Sequence, residues 1–472
     1  MTNIINPTID LFLYDLRNSL GDDEKDIEKN RQYFYQKFHP TVQEKLKQDR
    51  QDRRERRGNN ENIEPDYVHL LNSFFTYLDP DTPLENGYYY PVRLGDSYGL
   101  LLEVATPDKK TPEYFGELKA KIQQKLGENT ARLGQTWMLS TYLPNSSKTT
   151  PEEIKEIAEK CLEAILPNIK NPMFSEVFNG RGEFLGATIF EYSDNNLKPE
   201  TVKLTDKEIT TVVQSQHIII AIYPDAETFN KLADFYADWM RLFYYHHKVV
   251  WAYGQTRILS NEIKDKFSLI KTTIESVEAN ITQGNRQVNK LEEISDVLSK
   301  FQVMINQYSN LLNNLKFQQG TIEINLSNYD KRLQTLQKKA REKVTINKTE
   351  IALFEEFSKL VNEKYLLQIT RDLQNFDQGL KLLEGNINAI RSQVEIEKAK
   401  NDQNFQELIS VVGTAVAVVS FMGDDPQNKC ELIPLLSKNS PVCENTLILK
   451  LIIFFTASIF VWFFRKYILK RS

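Results

Sequence analysis

Cysteine and histidine are scarce in this chain, with three and five residues among 472. That scarcity removes most metal and nucleophile chemistry from consideration. No HExxH, paired CxxC, Walker A loop or nucleophile elbow occurs, so the usual placements of zinc, phosphate or an activated serine are absent. His246 and His247 are adjacent, and on a helix they diverge by about 100°, which makes them poor joint ligands. An aromatic-rich interface is the better reading of that pair, and His39, His69 and His217 stand apart in the sequence. No catalytic residue set, metal site or cofactor is expected, and the chain is read as a non-enzyme. A basic excess is also missing: the net charge is −5, which excludes a general nucleic-acid binder of the basic-face kind. The opening MTNIINPTIDLFLYDLRNS has no basic region followed by an apolar core, so a cytoplasmic N-terminal body is expected.

Long apolar runs are present, and only near the end. Leu447–Phe464 is eighteen residues with a single lysine, about the length that spans a hydrocarbon core. Lys450 lies close enough to its end to reach the interface. Leu408–Met422 is shorter, at fifteen residues. Parity supports a second span: the tail holds Arg465, Lys466, Lys470 and Arg471, which marks it as cytoplasmic, so an N-terminal body on the same side requires an even number of crossings. The expected location is the cell (inner) membrane, multi-pass, with both termini inside. The stretch between the spans would then lie outside, where Cys430 and Cys443 either form a disulfide or remain two free thiols. Cys161, within PEEIKEIAEKCLEAIL, reads as an ordinary half-buried helix residue.

In the shorter span Ser410, Gly413, Thr414, Ala417 and Ser420 recur on one helical stripe. Two readings stand: close helix packing in lipid, or the lining of a narrow pore built from several copies. Asp424 and Asp425 follow directly, either as cation-attracting groups at a pore mouth or as a hydrated loop end.

The expected fold class is an α+β cytoplasmic domain, then long helices with a coiled-coil stalk, then two C-terminal transmembrane helices. The division is 1–224 for the α/β domain, 225–345 for a helical region, 346–407 for the stalk, 408–423 and 447–464 for the spans, 424–446 for the outer loop, and 465–472 for the tail. Helices are predicted near 8–19, 63–78, 112–127 and 151–167. Strands are predicted at Tyr88–Leu94, Gly99–Thr106, Thr136–Leu143, Phe184–Tyr192 and His217–Tyr223, the first two as a hairpin around GDSYG. Gly180-Arg181-Gly182 reads as a hairpin turn before the Phe184 strand, or as a phosphate-binding turn. The basic run holding Arg53, Arg54, Arg56 and Arg57 reads as a solvated helix end or linker, or as a contact for anionic lipid or a phosphorylated ligand.

From Asp225, a natural N-cap, long helices are predicted, broken at Gly284 and Gly320. The final helix is read as unbroken from about Lys348 to Met422, starting in the Val344–Thr349 region. It carries Leu366, Ile369, Leu373, Phe376, Leu380, Leu383, Ile387, Ile390 and Val394 at alternating spacings of three and four, a coiled-coil seam. From Val394 to Ser410 the helix turns by a net of roughly 160°, so the seam and the small-residue stripe lie on nearly opposite sides.

This succession of an α/β domain, helices, a long stalk running into a first span, a short outer loop and a second span with a basic tail resembles the CorA-type magnesium channel family. The resemblance covers residues 225–472 as architecture. It implies a homo-oligomer, a pentamer in that family, in which the first span lines the pore and the second faces lipid. The family's Gly-Met-Asn signature is replaced here by Phe421-Met422-Gly423-Asp424-Asp425-Pro426, so the asparagine that meets hydrated magnesium has no counterpart. The resemblance also implies a possible role as a membrane effector in prokaryotic defence. The expected function is a homo-oligomeric channel or pore-forming effector passing cations and gated by its cytoplasmic domain. Its partners would be the lipid bilayer, further copies of itself and an unidentified cytoplasmic ligand or protein. The competing reading is a membrane-anchored coiled-coil scaffold or sensor without transport.

Overall fold

The computed structural model describes residues 3–18, 23–57, 67–78, 87–144, 149–166, 178–204, 207–282, 289–343 and 349–398. An α+β sheet domain comes first and long helices follow. By internal contacts the chain forms two compact units, one of Met1–Ile258 with Leu315–Arg371 and one of Leu259–Asn314 with Asp372–Ser472.

The first unit is organised by a ten-stranded sheet. Its strands are β1 (Ile4–Leu16), β2 (Tyr67–His69), β3 (Thr76–Tyr77), β4 (Tyr88–Leu94), β5 (Ser97–Ala105), β6 (Lys109–Lys110), β7 (Gly134–Tyr142), β8 (Phe178–Phe184), β9 (Ala187–Leu204) and β10 (Lys207–Tyr223). The order is β2-β4-β5-β1-β7-β10-β9-β8, with β3 on β4 and β6 on β1. β7 and β10 pair in parallel, while the other pairs are antiparallel. Strand alternation assigns the two faces. Ile9, Leu11, Leu13, Leu100, Leu102, Leu139, Ile218 and Ile220 join one core with α1 (Glu24–Tyr35), α2 (Pro40–Arg57), α3 (Phe115–Leu126) and α4 (Pro151–Ile165). Cys161 of α4 is fully buried in that core rather than half-buried.

The opposite face receives α5 (Ala226–Asn230) and the first part of α6 (Tyr236–Thr282). Phe12 meets Phe243 at 5.2 Å, Phe184 meets Trp239 at 5.0 Å, and the Tyr14 hydroxyl donates to the Met240 carbonyl at 2.8 Å.

Several expectations are corrected here. Residues 4–16 form a strand, not the helix predicted over 8–19. β1 pairs on both edges and is covered on both faces, so almost every position is buried and the period-two signal disappears into an apolar run. The helix predicted over 63–78 is replaced by β2 and β3 among the described residues. Gly180 and Gly182 sit inside β8, and the turn falls at Leu185-Gly186, both at positive φ. The glycines permit a close approach: a Cβ at Gly182 would lie 2.6 Å from the Glu350 carbonyl, and Glu350 pairs with Glu183. The hairpin around GDSYG is present, with Leu94 opposite Ser97 and Gly95 at φ +53°.

Asp225 caps α5 through the Thr228 amide, and a 3₁₀ turn leads into α6. Gly320 does not break its helix, because α7 (Asn289–Lys343) runs through it. A single glycine costs a helix about 1 kcal/mol, and the buried series Leu312, Leu315, Ile322, Leu326, Tyr329 and Leu333 continues across it. Gly284 lies outside the described residues.

The last helix starts later than expected, at Glu355, after the Glu350 bridge and a 3₁₀ turn. It comprises α8 (Glu355–Leu360), a π turn (Val361–Leu366) and α9 (Leu367–Lys398). In the second unit Ile263, Ile270, Ile274, Leu298, Phe301, Ile305, Leu383, Ile387 and Ile390 are buried. The Ser260 hydroxyl donates to Asp372 at 3.2 Å and Tyr308 to the Phe376 carbonyl at 2.9 Å. Among the described residues no helix is long and apolar enough to cross a membrane.

Candidate functional site

The α6-facing side of the sheet carries two buried ionisable clusters. The first brings together residues from three strands and one helix. Thr136 on β7 sits 2.7 Å from His217 Nδ1 on β10 and 2.8 Å from His247 Nε2 on α6. His217 Nε2 lies 3.1 Å from Glu191 Oε1 on β9. One proton arrangement satisfies every contact: His247 Nε2–H donates to Thr136, whose hydroxyl donates to His217 Nδ1, whose Nε2–H donates to Glu191. His246 stacks on His217 at 4.3 Å and on Phe357 at 4.0 Å. All of these polar residues are buried, so the relay has no face toward a substrate and fastens α6 to the sheet. Burial, then the neighbouring imidazoles, hold His246 well below the usual histidine range, and burial with His217 does the same for His247. The aromatic-rich reading of His246 and His247 missed that His217, Thr136 and Glu191 converge on them.

The second cluster is a carboxyl pair. Asp10 on β1 stands in register with Glu103 on β5, which stands in register with Tyr88 on β4. Tyr88 donates to Glu103 at 2.5 Å, and Tyr236 of α6 donates to Asp10 at 3.4 Å. Burial first, and the adjacent Glu103 charge second, push Asp10 well above the usual carboxylate range, so the pair holds a proton to higher pH than an ordinary carboxylate does. A carboxyl raised in this way stabilises the fold at lower pH, and that contribution is lost as pH rises through its folded pKa. Asp10→Asn supplies a permanent N–H toward Glu103. As pH rises above the ordinary carboxylate range it should therefore lose less stability than the unaltered chain, by at most about 1.4 kcal/mol per pH unit, in urea midpoints measured across the pH series. Equal losses would show that the pair holds no proton. Part of the signal for this pair was legible: Glu103 is the one acid in SYGLLLEVA, and Asp10 is flanked by Ile9 and Leu11 in IINPTIDLFLYDL, which holds Asp15 as a second acid.

Among the described residues, no group of three or more His, Cys, Asp or Glu side chains could hold a metal ion.

The seam residues divide by position. Ile369, Leu383, Ile387 and Ile390 are buried, while Leu366, Leu373, Phe376 and Leu380 are half-buried. The π turn inserts a phase shift, so that Val361 and Tyr365 point inward in place of Leu366, and Tyr365 stacks on Tyr253 at 3.8 Å. Val394 is within α9, but its side chain lies outside the described residues, as do Ser410, Gly413, Thr414, Ala417, Ser420, Asp424, Asp425, Cys430, Cys443 and both apolar stretches.

No family model matches the chain, and no curated protein matches its sequence.

Proposed function

We propose that the chain is a homo-oligomeric, CorA-like membrane channel or pore-forming effector that passes cations and is gated by its α+β domain. The observation that carries this reading is the order of segments. A sheet domain is followed by long helices, the last of which is described to Lys398, ten residues before the apolar stretch Leu408–Met422, with Leu447–Phe464 beyond it. Two stretches of this kind leave a short loop between them, as a pair of antiparallel spans requires. In this reading Ser410, Gly413, Thr414, Ala417 and Ser420 line the path, and Asp424 and Asp425 attract cations at its mouth. A change in the sheet domain reaches the spans through the final helix.

The test is ion flux through vesicles holding the full chain. Gly413→Leu or Ala417→Leu should reduce flux to the level of empty vesicles while leaving membrane insertion intact. Flux unchanged by both substitutions would sink the pore and favour an anchor. A monomer as the species in detergent would exclude a ring-built path.

A further inference from the structure

At the β2 edge of the sheet, rings extend beyond the ground that α6 covers. Tyr67 and His69 of β2 alternate onto the α6-facing side together with Tyr90 of β4. The Tyr67 and Tyr90 hydroxyls are 2.7 Å apart, His69 lies edge-on to both rings, and Phe74 packs against His69 at 4.6 Å. Phe74 leaves 56% of its surface in solvent, and its neighbours Phe75 and Tyr77 leave 46% and 44%.

Phe74 also has φ +65°, in the left-handed region that a bulky residue occupies at a cost of roughly 1–2 kcal/mol. The position is thus unfavourable twice over, in exposure and in backbone, for any purpose confined to folding.

Arg241 of α6 closes the inner end of this row. Its guanidinium lies 4.1 Å from the Tyr67 ring centroid. Among the described residues its N–H groups meet no carboxylate. The nearest acid on the helix, Asp238, is engaged by Arg332 at 3.2 Å and Lys339 at 2.8 Å. His69 Nδ1 is buried and without a hydrogen-bond partner. Burial, with the Arg241 charge second, lowers the His69 pKa, so this ring adds no second cation.

We infer that this edge binds a nucleoside di- or triphosphate, its base stacked on Phe74 and its phosphates on Arg241. Exposed rings accept any base by stacking, and an unpaired guanidinium supplies the forked donor set that phosphate oxygens match. Two rings, His69 and Tyr67, lie between the outer stack and the cation. A single phosphate on the ribose is therefore too short, and a polyphosphate reaches. As a gating ligand this rests on the proposed channel, but the binding itself does not, and a flux failure leaves it standing.

The experiment is fluorescence titration of the full chain in detergent with mant-labelled ATP, GTP, CTP and UTP. Unlabelled triphosphate, monophosphate, nucleoside and inorganic phosphate serve as competitors. At least one triphosphate should bind below about 1 mM, displaced by the unlabelled triphosphate and poorly by the other three. Arg241→Gln should weaken binding by about tenfold or more, and Phe74→Asn by at least about fivefold. Asparagine accepts the left-handed backbone, so the Phe74 variant should melt no lower than the unaltered chain, which separates lost binding from lost folding. Binding of none of the four overturns the inference. So does displacement by inorganic phosphate as effective as by triphosphate, which marks a simple anion site, and so does equal affinity in both variants.

Discussion

Asp15→Ala is expected to destabilise the sheet domain by about 3–5 kcal/mol in equilibrium denaturation, among the largest effects of any single substitution. The Asp15 and Lys37 side chains are fully buried, with Lys37 Nζ 3.0 Å from Asp15 Oδ2. The other carboxylate oxygen accepts the Arg132 backbone N–H at 3.0 Å, and Arg132 Nε stands 3.8 Å away. Arg132 is held further by Asn30 at 2.8 Å and the Leu16 carbonyl at 2.7 Å, and the Tyr33 ring lies beneath both cations. One carboxylate therefore serves two buried cations. Burial lowers the Lys37 pKa, with the Asp15 charge opposing that shift. Without Asp15 the lysine must shed its proton or remain charged and unpaired, and either outcome carries the full desolvation penalty. The double variant Asp15→Ala with Lys37→Met removes both members of that pair and should recover part of the loss, the remainder reflecting Arg132 left without its carboxylate. Strictly additive losses in that cycle would show that the two side chains act independently.

Much of this domain was legible because its signals are local. The strands at 88–94 and 97–105 show apolar periodicity with a Gly-Asp turn between them, and α4 begins with a capping box in which Thr150 and Glu153 satisfy each other's backbone. What was not legible depends on residues distant in sequence. β1 resembles a helix only until β5 and β7 are known to flank it. Gly182 resembles a turn until Glu350, far along the chain, is seen to pack against it. The apolar residues from Leu366 to Val394 alternate at three and four without a break, yet a π turn, which leaves no mark on that spacing, rotates Tyr365 into the place expected for Leu366. The ionisable clusters show the same limit. Asp10 and Glu103 are conspicuous as acids between apolar neighbours, but their pairing is a matter of register. His217 meets His246 and His247 only because the parallel β7–β10 pair and α6 carry them to one face.

That histidine cluster predicts acid lability that begins earlier than carboxylate titration alone would bring. The folded pKa values of His246 and His247 lie well below their ordinary 6.5 because burial penalises the charged ring. A group depressed in this way favours folding above its unfolded pKa, and the advantage disappears as pH falls below 6.5, where the unfolded chain takes up protons that the folded chain refuses. Each such site contributes up to about 1.4 kcal/mol per pH unit, so two sites lose up to about 4 kcal/mol between pH 6.5 and pH 5. The surroundings offer little relief. His247 meets Thr136, His217 and Tyr14 from β1, and His246 meets His217, His247, Tyr329 from α7 and Phe357; none of these is a carboxylate. His246→Phe retains a ring between His217 and Phe357 and removes one titrating site. Its stability should fall by only about half as much over the same pH interval, measured by urea midpoints and by Trp239 fluorescence, since that indole stacks on Phe243 at 5.3 Å and Phe243 meets His217 at 5.5 Å. A pH slope in His246→Phe identical to that of the unaltered chain would mean that proton uptake at this cluster does not set the acid limit of the fold.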